Sequence, residues 1–248
     1  CDMRWPIADY SDRLWVAVDG SATAAGTVEV TAALTGKDAK FWQTVQADLD
    51  DIAVYAADGV TGREYDIASL SYAGKTVTIE VNDVTHHVTN TITLLQLVFG
   101  NAAATDGKDP FVPAGALTGY TLNTGPAPGE PVFSLANPIG ETAPGQNMRK
   151  RAGETVFAWF QIGPFGMLAT PYNGRLVGEG PQSLSVTAPV GLTAPTAALR
   201  VWQSENRALL CRMTISGGTD ANSYDLVLNV VTTEGRMLQG VVRVEVKD

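Results

Sequence analysis

The chain has 248 residues, 45% of them hydrophobic and 17% charged, which is enough apolar material for a sizeable core and too little charge for a disordered chain. Its net charge of −9 is carried by the first half: residues 1–128 hold 16 acidic and seven basic side chains, whereas residues 129–248 hold ten of each. A surface of that sign repels nucleic-acid phosphates, and the densest basic cluster, Arg149-Lys150-Arg151, is too short to form a binding stripe, so direct DNA or RNA binding is excluded as an expectation.

No apolar run reaches the roughly 18 residues that span a bilayer, and the first residues show no signal-peptide pattern. Cys1 reads in two ways: as a small residue left after removal of an initiator Met, or as the acylated first residue of a processed lipoprotein. With Cys211 the only other cysteine, nearly a chain length away, no disulfide is expected and a Cys-based metal site has too few ligands.

Strand signals then dominate the first half. Leu14 to Val18, Thr27 to Leu34, Ile52 to Ala56, Thr76 to Val81 and Thr91 to Phe99 each alternate or carry a β-branched run. Between the second and third of these, DAKFWQTVQAD (Asp38 to Asp48) predicts one short helix with Phe41, Trp42 and Val45 on its apolar stripe. The acidic cluster that follows, Asp48, Asp50 and Asp51, offers alternate oxygen ligands of the kind a hard cation such as Ca²⁺ takes. It lacks the D-x-D-x-D-G order and closing Glu of an EF-hand, and a solvated acidic turn leading into Ile52 is the simpler reading. Asp58-Gly59 and Ala73-Gly74 read as hairpin turns that need a residue tolerant of positive φ.

His86 and His87 are adjacent on a strand and therefore face opposite ways, so they cannot grip one metal together. No G-x-S-x-G, H-E-x-x-H, P-loop or G-x-G-x-x-G occurs, and no pair of carboxylates stands out for glycoside hydrolysis. Trp5, Trp15, Trp42, Tyr55, Tyr65 and Tyr72 are candidate sugar platforms, but most fall within apolar alternation and read as core.

Residues 123–147 contain five prolines and four glycines and read as linker and edge crossing, with a domain boundary near Gly129. Beyond it strands are predicted at Glu154 to Ile162, Ser183 to Ala188, Ala197 to Gln203, Leu209 to Ser216, Ser223 to Thr232 and Leu238 to Val246. In the first, Val156, Ala158 and Phe160 alternate with Phe157, Trp159 and Gln161, so aromatic rings lie on both faces and Trp159 or Phe157 is either covered, by the loop from Pro164 to Gly180, or open to a partner. In the last, Val242, Val244 and Val246 share one face and Arg243, Glu245 and Lys247 the other. The expected class is all-β: two β-sandwich domains, residues 1–128 jelly-roll-like and acidic and residues 129–248 a second sandwich, which the resemblance below implies is Ig-like, with no cofactor.

Two stretches carry a resemblance. In the first half Phe41-Trp42, Asp51-Ile52, Asp58-Gly59, Tyr65-Asp66-Ile67 and Phe99-Gly100-Asn101, preceded by RWPI at Arg4 to Ile7, resemble a β-sandwich family known only as a domain of unknown function, found in bacterial surface proteins and tailed-phage virion proteins. In the second half Gly191-Leu192-Thr193, the SGGT of Ser216 to Thr219, Tyr224 and the TTEGR of Thr232 to Arg236 resemble the Ig-like domain of phage fiber-tail adaptor proteins; Asn222 stands where that family commonly has Gly. The resemblance implies a non-enzymatic structural component of a tailed-phage virion, either a capsid decoration or spike protein or a tail-fiber adaptor. Its implied partners are other capsid or tail proteins and further copies of itself on a symmetric assembly, with no nucleic acid and no membrane. The alternative is a carbohydrate-binding adhesin or lipoprotein of the cell surface, with a host-surface glycan as partner.

Overall fold

A computed structural model of the chain describes residues 10–20, 26–59, 61–86, 90–104, 106–108, 117–122, 124–135, 147–162, 181–203 and 209–248. Almost all of its regular structure is β. The first half supplies Asp12–Asp19 (β1), Gly26–Leu34 (β2), Ile52–Ala56 (β3), Gly62–Arg63 (β4), Tyr65–Ser71 (β5), Thr76–His86 (β6), Ile92–Phe99 (β7) and Leu117–Tyr120 (β8). The second supplies Val132–Ser134 (β9), Asn147–Lys150 (β10), Val156–Gln161 (β11), Pro181–Thr187 (β12), Leu192–Thr193 (β13), Arg200–Gln203 (β14), Leu209–Gly217 (β15), Ser223–Thr232 (β16) and Met237–Val246 (β17).

These strands form two sheets. The larger runs β10-β17-β16-β12-β7-β1-β8-β2-β6-β5, with β3 also on β7 and β4 on β3; the smaller runs β13-β15-β11-β9, with β14 also on β15. The larger sheet therefore passes from one half of the sequence into the other, and it does so at β7. One edge of β7 pairs along its whole length with β1. The other edge is shared, with β12 pairing at Ile92 and Thr93 and β3 pairing from Leu95 to Phe99.

The alternation of β1 and β7 explains how two cores share them. Val16 and Val18 of β1, with Leu95, Leu97 and Phe99 of β7, face a core inside the curl of the first-half strands, while Trp15, Ala17, Ile92 and Leu94 face the core between the two sheets. A strand covered on both faces reads as an unbroken apolar run, and all eight residues of β7 are buried. Of its two buried polar residues, Thr93 and Gln96, the second is satisfied through its side chain: its amide donates to Ala57 O at 2.8 Å and its Oε1 accepts from Arg13 at 3.0 Å.

The predicted helix forms at Ala39–Thr44 (α1) and is shorter than the sequence pattern, because Val45 already has extended dihedrals. Phe41 and Trp42 are buried as the stripe requires, with Phe41 edge-on to Phe99. Two turn expectations shift. In the SYAGKT turn the positive φ belongs to Lys75 (52°) and not to Gly74, and before Tyr224 it belongs to Ala221 (62°) and not to Asn222. The SGGT turn does need its glycines: Gly217 and Gly218 have φ of 75° and 90°, and a Cβ on Gly218 would lie 2.6 Å from Val246.

The Pro- and Gly-rich stretch, expected as a linker, is in its described part a covering layer. Leu122 N–H donates to Val201 O at 3.0 Å, Pro131 O accepts from the Trp159 amide at 3.0 Å, and β9 pairs parallel with β11. Prolines lacking an N–H settle at such an edge, where they still offer carbonyls.

Candidate functional site

The outer face of the smaller sheet, away from the core, carries the densest combination of charge and aromatic surface described in the chain. Three strands build it in register: Trp159 on β11 stands opposite Arg212 on β15, which stands opposite Arg200 on β14. Directly opposed residues share a face, so these three side chains and Phe157 lie together. Arg212 stacks over Phe157, its guanidinium carbon 4.6 Å from the ring centroid, and reaches Trp159 at 5.9 Å; Arg200 lies 4.1 Å over Tyr120.

Trp159 itself is buried and Phe157 half-buried, while the loop from Pro164 to Gly180 expected to cover them lies outside the described residues. Among the described residues the cover is the segment around Leu122 to Pro131 with Trp202, whose ring meets Trp159 edge-on at 6.5 Å. Gly125 lies so close to Trp202 that a Cβ there would come within 2.6 Å of its ring. The Trp159 indole donates to Glu130 at 2.7 Å, and the same carboxylate accepts from the Ala127 amide at 3.0 Å.

Arg200 spends its Nη1 on the carbonyls of Ala197 and Leu199. Arg212 has no such outlet: its Nε is buried without a hydrogen-bond partner. Burial pulls the Arg212 pKa below its ordinary value, Glu130 opposes that shift and Arg200 adds to it. The face can therefore meet an oxyanion through a guanidinium stacked on aromatic rings.

The acidic cluster is tied internally. Lys108 Nζ donates to Asp50 Oδ1 at 2.7 Å and to Asp48 O at 3.1 Å, placing an ammonium where a cation would sit. Burial lowers the Lys108 pKa, but the pairing with Asp50 and Asp106 outweighs it and the net direction is upward. Asp48 Oδ1 accepts from the Asp50 amide, while Asp51 is buried with its carboxylate on the Gln46 amide at 2.9 Å. Among the described residues no group of three or more His, Cys, Asp or Glu side chains is placed to hold a metal ion.

The remaining sequence candidates are scattered. The side chains of His86 and His87, and all of Cys1 and Trp5, lie outside the described residues. Cys211 is a buried free thiol. Trp15, Trp42 and Tyr65 are core, Tyr55 is half-buried, and Tyr72 is exposed but lies edge-on to Trp42. Two members of the basic cluster are paired internally: Arg149 with Glu245 at 3.1 Å, and Lys150, which is buried and donates to the carbonyls of Gly217 and Arg151.

A cleft of about 210 Å³ opens where β3 and β12 part along the edge of β7, with Asp58, Arg63 and Gln182 in its lining. Asp58 accepts from the Thr61 amide and hydroxyl, and the lining holds no histidine, cysteine or second carboxylate among the described residues.

Sequence reasoning missed Arg200, Arg212, Glu130 and Lys108. The signal for Arg212 was present, since period two puts it opposite in facing to Cys211 and level with Trp159 once the strand pairing is known. No helix among the described residues is long and apolar enough to cross a membrane.

No protein-family model matches the chain, and no curated protein matches it. Among solved structures, an endo-fucoidan hydrolase from glycoside hydrolase family 107 is similar at 12% identity with a TM-score of 0.22, over 79% of this chain and 31% of that one. The chain thus spans less than a third of that neighbour's length, and a likeness at that TM-score carries no argument.

Proposed function

We propose that this protein is a non-enzymatic structural component of a tailed-phage virion, a capsid decoration or spike protein or a tail-fiber adaptor, that works through protein–protein contacts. The observation that carries the reading is the arginine and aromatic face of the smaller sheet. Arg, Trp and Tyr dominate the energetics of protein interfaces, because they bury large rigid areas and make directional contacts to anions. Here the Arg212 guanidinium stacks over Phe157 beside Trp159.

Two further features support it. The SGGT and TTEGR turns that resemble virion Ig-like domains are built from backbone requirements, and the cleft holds no paired acid and base. A part of this kind gains stability from repetition, since many weak contacts on a symmetric shell act together. Imaging of purified virions at subunit resolution tests the reading. Density for this chain on the capsid or tail is the expected result, and a particle that lacks the chain overturns it.

A further inference from the structure

Four charged pairs stand directly opposite one another across the described strands, and they divide into two kinds. Asp225 faces Arg243 and joins it through two bonds of 2.8 and 3.0 Å, and Arg149 faces Glu245 at 3.1 Å. The other two oppose like charges: Arg200 faces Arg212 on the smaller sheet, and Asp66 faces Glu80 on β5 and β6 at the far end of the larger one. Like charges in this position destabilise a sheet.

Among the described residues the Asp66–Glu80 pair has no relief, and the Arg200–Arg212 pair is relieved only in part, by Glu130 beside Arg212 and by the carbonyls on Arg200. All four side chains belong to half-buried residues, where an unpaired charge costs more than in open water. Glu130, the one carboxylate described beside Arg212, accepts from Trp159 and Ala127 and offsets part of the charge of the pair. Asp66 and Glu80 have no ion pair or hydrogen bond among the described residues, and the neighbouring Glu64 is occupied by Asn82 at 3.3 Å. The two pairs are of opposite sign, lie on sheet faces and belong to different halves of the chain, and the acidic excess lies wholly in the half that bears Asp66 and Glu80.

We propose that the two like-charge pairs are the two sides of one contact between copies of this chain, with the Asp66–Glu80 face of one copy docking on the Arg200–Arg212 face of another. The two surfaces differ, so the contact is heterologous and either propagates head to tail or closes into a ring or a doubly joined dimer. Two carboxylates meet two guanidiniums held against Tyr120 and Phe157, and each strained pair is neutralised by the other. The inference concerns the chain's own two surfaces and stands whether or not the protein is a virion component.

The test is sedimentation velocity on the full chain, which reads self-association and not particle incorporation. Raising salt from about 50 mM to about 500 mM shortens the screening length and should weaken the association constant at least about tenfold. Arg212→Glu alone, and Asp66→Lys with Glu80→Lys, should each lose association by a similar factor. Mixing the two variants should restore it, since the new Glu then faces the new Lys while the unaltered faces still match.

A wild-type chain that stays monomeric at low salt overturns the proposal. So does an oligomer indifferent to salt and to both charge reversals, or a mixture of folded variants that fails to recover. Should Arg212→Glu not fold, Arg212→Gln with a wild-type melting curve takes its place: loss of association then supports the contact, and retention at low salt overturns it.

Discussion

Cys211 shows how much burial alone does to a single residue: with no charged neighbour to account for it, desolvation pushes its thiol from 9.0 up to about 12. The folded thiol thus stays protonated while the unfolded one ionises above about pH 9, so stability falls with rising pH in that window by up to about 1.4 kcal/mol per pH unit. Burial likewise raises the Tyr65 hydroxyl, with nearby acidic groups adding to it, so the informative measurement is the difference between wild type and Cys211→Ala in urea titrations at about pH 8 and about pH 10. The variant should lose part of the alkaline decline. Trp159→Phe removes the indole bond to Glu130 and should cost about 1.5–3 kcal/mol in the same titration, the range for a bond to a charged group. Lys108→Ala should cost about 0.5–1 kcal/mol, and millimolar calcium should leave the wild-type melting temperature unchanged because the ammonium already occupies Asp50. Turn residues were the least legible in the sequence at this scale. Ala73-Gly74 announces a turn, but which residue takes the left-handed backbone depends on where the strand ladder closes, and Ser71 pairing with Thr76 puts it at Lys75.

The two sheets are in tight contact at Gly240 on β17, where an added Cβ would lie 2.5 Å from the Phe160 ring and 2.8 Å from Leu135. Gly240→Val forces that ring, fully buried and tilted against Phe133, to move, and overpacking of this kind costs about 1–3 kcal/mol. The expected readout is a lowered urea midpoint with an unchanged slope. Strands covered on one face were legible, as Val242, Val244 and Val246 show by lining the core. Those missed fall into two groups with separate causes. β4, β8, β9, β10 and β13 run for two to four residues, too few for a period to register. β5 is longer, but from Ala68 to Ser71 it is exposed and carries no repeating apolar face. The helix was legible in kind and not in length, since its pattern of Phe41, Trp42 and Val45 continues past the point where the backbone turns extended.

For the whole molecule the shared strands decide behaviour. Trp15, Ala17, Ile92 and Leu94 come from the first half and complete the core between the sheets, so calorimetry should show the two halves unfolding in one transition. A fragment of residues 129–248 would lack those side chains and leave the edge of β12 unpaired at Ser183 and Leu184; it should melt well below the full chain or aggregate. Proline, glycine and charge suggested a boundary near Gly129, and composition does change there. The pairing of β7 with β12 was illegible because it joins distant segments through two residue pairs, and local pattern carries no record of a non-local partner. The arginine face was hidden for the same reason: Arg200, Arg212 and Trp159 come together only when three strands are laid side by side.

The split edge of β7 also sets a schedule for synthesis. β12 begins at Pro181, roughly eighty residues after β7 ends at Phe99, which at about 5–20 residues per second leaves a nascent first half waiting several seconds for its neighbour. During that interval the open edge at Ile92 and Thr93 and the uncovered side chains of Trp15 and Leu94 are presented to solvent, the sort of surface chaperones bind. Slow translation past residue 99 should therefore lower the yield of soluble chain more than slow translation past residue 187, where the β12 pairing is already available.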